Sequence, residues 1–92
     1  MDYVEDKAMN EERITIIFKI VNKNITKDVE IPLDISANEL VIALNEAYEL
    51  GIDTNDVKQC YLKSERPIAL IKGSKSLKEY GLRNGTVIYF MN

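Results

Sequence analysis

Leu77-Lys78-Glu79-Tyr80-Gly81-Leu82-Arg83-Asn84-Gly85-Thr86-Val87-Ile88 packs a helical turn, a stop, a tight turn and the start of a strand into twelve residues. Ser76-Leu77-Lys78-Glu79 has capping-box form, in which the serine hydroxyl and the glutamate side chain each serve a backbone N–H at the helix start. Gly81 supplies the left-handed stop, so Leu77–Tyr80 reads as one helical turn. Asn84-Gly85 is a tight-turn pair. Thr86-Val87-Ile88-Tyr89-Phe90-Met91 then alternates and reads as the last strand.

Read outward from there, the earlier chain supplies the partners. Arg13 to Val21 alternates with period two and is rich in β-branched residues, so it is a strand with Ile14, Ile16, Phe18 and Ile20 on the buried face. Asn22-Lys23-Asn24 turns the chain, and Thr26 to Leu33 alternates again, which makes a hairpin. Ser36-Ala37-Asn38-Glu39 repeats the capping-box form. The apolar residues Leu40, Val41, Ala43, Leu44, Ala47, Tyr48 and Leu50 follow helical spacing, with Gly51 as the stop, giving an amphipathic helix of about four turns. Asp53-Thr54-Asn55-Asp56 is a polar turn. Val57 to Lys63 reads as a third strand with Cys60 and Leu62 inward and Tyr61 outward, although Val57 argues for the opposite parity. Ser64-Glu65-Arg66 turns, and Pro67 to Ile71 is a short fourth strand at a sheet edge. A hairpin, one helix and three further strands make an α+β, two-layer architecture: a mixed five-stranded sheet with one main amphipathic helix and a short helical turn.

Composition narrows the function. The 92 residues are 46% hydrophobic and 29% charged, with no histidine and one cysteine. That removes disulfides, most metal sites and histidine-based acid–base catalysis. No apolar run approaches the ~20 residues of a membrane helix, and the acidic first residues do not resemble a signal peptide. A cytoplasmic protein is expected, without membrane insertion. Residues 1–12 hold five acids against Lys7 and are read as a flexible leader; residues 13–92, with 10 acids and 11 bases, form the folded domain. A nearly neutral domain is not expected to bind nucleic acid, which requires a basic stripe. Lys58, Lys63, Arg66, Lys72, Lys75, Lys78 and Arg83 nevertheless outnumber the acids in their own segment.

The element order, together with the leucine, tyrosine, aliphatic residue, turn and final strand spaced from Leu77 to Ile88, resembles the ubiquitin-like β-grasp superfamily. Within it, the long opening hairpin and the compact ending Leu82-Arg83-Asn84-Gly85-Thr86-Val87-Ile88-Tyr89-Phe90 are similar to the YukD/EsaB-type accessory proteins of type VII (WXG100) secretion systems. The resemblance spans about Arg13 to Met91. It implies a noncatalytic adaptor that binds protein partners among the secretion components. Ubiquitin and the sulfur carriers end in a flexible Gly-Gly that an activating enzyme adenylates. This sequence reads Tyr89-Phe90-Met91-Asn92 instead, so conjugation is not expected. A carrier acting with an activating enzyme and an RNA-binding β-grasp module are the rival readings.

No catalytic, metal or cofactor site is expected. Cys60 has no histidine to activate it. Lys72-Gly73-Ser74-Lys75-Ser76 lacks the order of a phosphate loop, and Glu46, Glu49, Asp53 and Asp56 read as a solvated acidic face. The candidate surface is the sheet face opposite the helix: Thr15, Ile17 and Lys19 from the first strand, Tyr61 and Lys63 from the third, Val87 and Tyr89 from the last. Its apolar centre, aromatic residues and basic rim have the composition of protein interfaces.

Overall fold

Alternation in the first strand sets the sheet's two faces. In the computed structural model, which describes residues 12–91, β1 (Arg13–Ile20) buries Ile14, Ile16, Phe18 and Ile20 and turns Arg13, Thr15 and Lys19 to water. A single 3-10 turn, Val21–Lys23, ends with Asn24 in the left-handed region (φ 56°) and leads into β2 (Ile25–Pro32). β1 and β2 pair antiparallel with Ile14 opposite Ile31 and Ile20 opposite Ile25. The hairpin expected from the alternation is therefore present, one residue shifted at its second strand.

Helix α1 (Ala37–Tyr48) begins as its sequence implies. The Ser36 Oγ accepts from the Glu39 N–H and a Glu39 carboxylate oxygen accepts from the Ser36 N–H, at 3.1 and 2.8 Å. It buries Ala37, Leu40, Val41 and Leu44. The helix stops earlier than Gly51. Glu49 takes the left-handed cap position at φ 52° and its N–H returns to the Asn45 carbonyl, because Leu50 and Ile52 are drawn into the core and the chain must leave the helix axis to deliver them. Phe18, fully buried, meets Tyr48 with ring centroids 5.1 Å apart; tilted aromatic pairs of this kind contribute about 0.5–1.5 kcal/mol beyond their buried area.

The third strand differs from its sequence reading. β3 is Leu62–Glu65, and residues 57–59 are turn. Asp56 is the cause. Its backbone carbonyl accepts from the N–H groups of Gln59 and Cys60, and its Oδ1 accepts from the Lys58 N–H. A short acidic side chain that satisfies local donors competes with a ladder. Val57 is left 84% exposed, so it carried no information about strand parity. Cys60 and Leu62 point inward as expected, and Ser64 follows them to 2% exposure. Ser64 and Glu65 belong to the strand, not to a turn. The buried Ser64 hydroxyl donates to the Pro67 carbonyl at 2.6 Å. The turn falls instead at residues 66–68, and β4 is only Ala69–Ile71.

Helix α2 (Leu77–Tyr80) carries the second capping box, with the Ser76 Oγ accepting from Glu79 at 3.1 Å, and stops at Gly81 (φ 81°). β5 (Val87–Phe90) closes the fold. The strand order is β2-β1-β5-β3-β4, with β1 and β5 parallel at the centre and the other pairs antiparallel. Ile16, Phe18, Leu62, Ile71 and Ile88 on the sheet and Leu40 and Val41 on α1 form one apolar cluster, joined by Leu77. This is the β-grasp arrangement. Glu12, the last residue of the leader as read from sequence, contributes its carbonyl to the Leu33 N–H (3.0 Å) and its carboxylate to Lys78 (2.8 Å). The remaining leader residues, 1–11, lie outside the described residues.

Candidate functional site

Because α1 covers one face, every second residue of each strand presents a side chain to the other. Register then aligns these residues across the strands. Thr26 stands opposite Lys19, Lys19 opposite Tyr89, Tyr89 opposite Lys63, and Lys63 opposite Leu70. One row thus crosses the whole sheet, with an aromatic ring at its middle and an ammonium group on either side. The adjacent row is Asp28, Ile17, Val87 and Glu65. Thr15 lies beyond Ile17, its N–H donating to the Asn84 side chain at 2.8 Å and its carbonyl accepting from Gly85 at 3.0 Å.

Six of the seven residues expected on this face from sequence are accessible on it or at its end. Thr15, Lys19 and Lys63 are exposed, and Ile17, Tyr61 and Tyr89 are half-buried. Val87 is not available in the same sense. It has the outward parity, but it is only 4% exposed. It sits at the centre of the sheet between Ile17 and Glu65, and longer side chains on both sides leave its short one beneath the surface. Tyr61 precedes β3 and belongs to the end of the face.

Three apolar residues that sequence did not place here, or placed only by parity, complete the surface. Val21, Leu70 and Met91 are 48%, 46% and 59% exposed. Val21 and Met91 line a shallow groove of about 320 Å³ with Lys19, Glu65, Val87 and Tyr89. Leu70 becomes part of the face only through its pairing with Lys63, which no local pattern announces. A second groove, of about 330 Å³, opens where β3 and β5 meet the loop after α1. That loop is clipped by Asn45, whose amide group donates to the Ile52 carbonyl at 3.0 Å and accepts from the Ile52 N–H at 2.9 Å.

The other chemical candidates are held in structural roles. Burial raises the Cys60 thiol above its ordinary range, and its sulfur contacts the Asn38 side-chain oxygen at 3.0 Å. Asp53 accepts from the Asn55 N–H, and the Asp56 oxygens serve Lys58 and Gln59. Several bases of the Lys58–Arg83 segment are engaged separately: Lys78 by Glu12, which raises its pKa, Lys75 over the Tyr80 ring at 4.8 Å, and Arg66 by the Gly85 carbonyl. Among the described residues no helix is long and apolar enough to cross a membrane.

Comparison with known proteins agrees with the fold. Residues 13–90 match the family profile described as the WXG100 protein secretion system (Wss) protein YukD. No curated protein sequence matches the chain. Among solved structures, the ubiquitin-like domain of tubulin-binding cofactor B is similar at 21% identity and a TM-score of 0.69, over 89% of this chain and 91% of that one. The C-terminal ubiquitin-like domain of mouse tubulin-specific chaperone e gives 12% identity and 0.68, over 89% and 88%. A de novo design based on ubiquitin gives 17% and 0.60, over 84% of each chain. At these identities the structural likeness establishes the ubiquitin-like fold alone.

Proposed function

The chain belongs to the YukD family of the WXG100 protein secretion system, and from that premise we propose that it is a noncatalytic cytoplasmic adaptor whose outer sheet face docks on components of that machinery. The observation that carries the proposal is the row Lys19, Tyr89, Lys63, bordered by Ile17 and by the exposed Val21, Leu70 and Met91. Exposed apolar residues gathered around an aromatic anchor, with charges at the edge, are what protein interfaces concentrate. The contact is noncovalent in this reading, and the partner is a protein of the secretion apparatus.

The test is a pair of charge insertions. Ile17→Asp and Tyr89→Asp each place a carboxylate in the face without touching the apolar cluster. Both variants should keep the thermal unfolding profile of a folded domain, lose co-purification with secretion components, and lower export of WXG100-type substrates. Export and co-purification that survive both substitutions would refute this function.

A further inference from the structure

The groove at the end of the sheet differs in character from the flat face beside it. It is lined by Leu50 and Ile52, both buried, by Tyr61 and Tyr89, half-buried, and by the exposed Lys58 and Lys63. Among the described residues no carboxylate lines it. Asp56, the acid nearest to Lys58 in sequence, turns both oxygens to its own turn, at 2.9 Å from the Lys58 N–H and 3.0 Å from the Gln59 amide. The whole chain has a formal net charge of -3, so a concavity whose described lining has two ammonium groups and no acid is a local departure from the protein's overall sign. Lysines left uncompensated in this way attract anionic groups and select against cationic ones.

The groove is also held in shape before anything binds, because the two hydrogen bonds between Asn45 and Ile52 fix the loop that forms one wall. A preformed site avoids the ordering cost that weakens binding to mobile loops. Its volume of about 330 Å³ admits a few side chains and no folded element. Small-molecule sites bury most of their ligand and orient it with enclosed polar groups; here two ammonium groups stand at an open margin, with Leu62, Phe90 and Met91 among the lining side chains. That combination suits a short stretch of polypeptide in which acidic residues alternate with apolar ones.

We propose that this groove seats an acidic segment with an apolar anchor, contributed by the protein that docks on the outer face: carboxylates meet Lys58 and Lys63, and an aliphatic side chain enters between Tyr61 and Tyr89. The proposal rests on the docking function assigned to that face, which shares Lys63 and Tyr89 with the groove. Lys58 belongs to the loop and lies off the flat face, so it separates the two ideas.

The experiment titrates the isotopically labelled full chain with a synthetic peptide alternating Glu and Leu, and with a control alternating Lys and Leu, followed by amide chemical shifts. The acidic peptide should shift the amides of residues 58–63 and 89–91, bind more weakly as salt rises, and lose roughly five- to tenfold in affinity in Lys58→Glu. Lys58→Gln should lose less, and Lys78→Glu should bind as the parent does. Equal binding of the basic peptide, shifts centred on Lys72 to Lys78, or an unchanged affinity in Lys58→Glu would each overturn the proposal. Failure of the peptide while Ile17→Asp still abolishes co-purification sinks the groove alone. Peptide binding that persists while co-purification ignores Ile17→Asp and Tyr89→Asp sinks the face instead.

Discussion

Ser36 and Ser76, the N-caps of α1 and α2, are paired with each other through an isolated antiparallel bridge. The bridge is flanked by two backbone hydrogen bonds, from the Ala37 N–H to the Lys75 carbonyl (2.9 Å) and from the Leu77 N–H to the Ile35 carbonyl (3.0 Å). Each helix start thus satisfies part of the other's unpaired backbone, a demand that both starts carry. The second helix, one turn long, is too short to be stable by itself; it is held by this pairing and by the fully buried Leu77.

Replacing either cap should therefore be felt at both helices. Ser36→Ala and Ser76→Ala should each lower stability by about 1 kcal/mol, measured by urea denaturation. Because the two caps share one bridge, the double variant should depart from the sum of the singles by about 0.5 kcal/mol or more. Strict additivity would show that the bridge couples nothing.

Thr86, just before β5, makes a comparable junction between the turn after β3 and the loop after α2. Fully buried, it donates its hydroxyl proton to the Arg66 carbonyl at 2.8 Å and accepts from the Arg83 N–H at 3.0 Å. Thr86→Val keeps the shape and strands both backbone partners, so a loss of about 2 kcal/mol is expected in denaturant unfolding. Thr86→Ser, which keeps the hydroxyl, should lose less.

Asn45 should control the loop that walls the end groove. Asn45→Ala removes both bonds to Ile52 and should cost about 1–2 kcal/mol. Native-state hydrogen exchange should report the loss first at the Ile52 amide, ahead of the β1 amides. If the loop keeps its protection, the clip is not what holds it.

Cys60 yields a prediction in pH. Burial raises its pKa, so the native state holds the thiol proton more tightly than the unfolded chain does. The resulting stability is fully present below the ordinary thiol pKa and is lost as pH rises through the raised value. Stability should accordingly decline with alkaline pH less steeply in Cys60→Ala than in the parent. Native Cys60 should alkylate slowly near neutral pH and fast only once unfolded.

Much of this architecture is legible in single segments. Period-two alternation in Arg13–Ile20 identified which side chains of β1 are buried, since successive side chains of a strand point to opposite faces whatever they pair with. The two Ser-x-x-Glu boxes and Gly81 marked helix ends, because capping is settled within a few residues. The misplaced boundaries fall where a local competitor won: Asp56 holds residues 57–59 out of β3, and Glu49 ends α1 so that Leu50 and Ile52 can reach the core.

What the amino-acid order determined alone is therefore the order of elements, the helix N-caps and the alternation of faces along β1 and β5, all consequences of short-range geometry. The neighbours on the outer face were decided only by tertiary structure. Lys63 meets Tyr89, Leu70 joins their row, and Val87 sinks beneath Ile17 and Glu65. Register between strands distant in sequence is chosen by the packing of the whole apolar cluster, and no single segment contains that information.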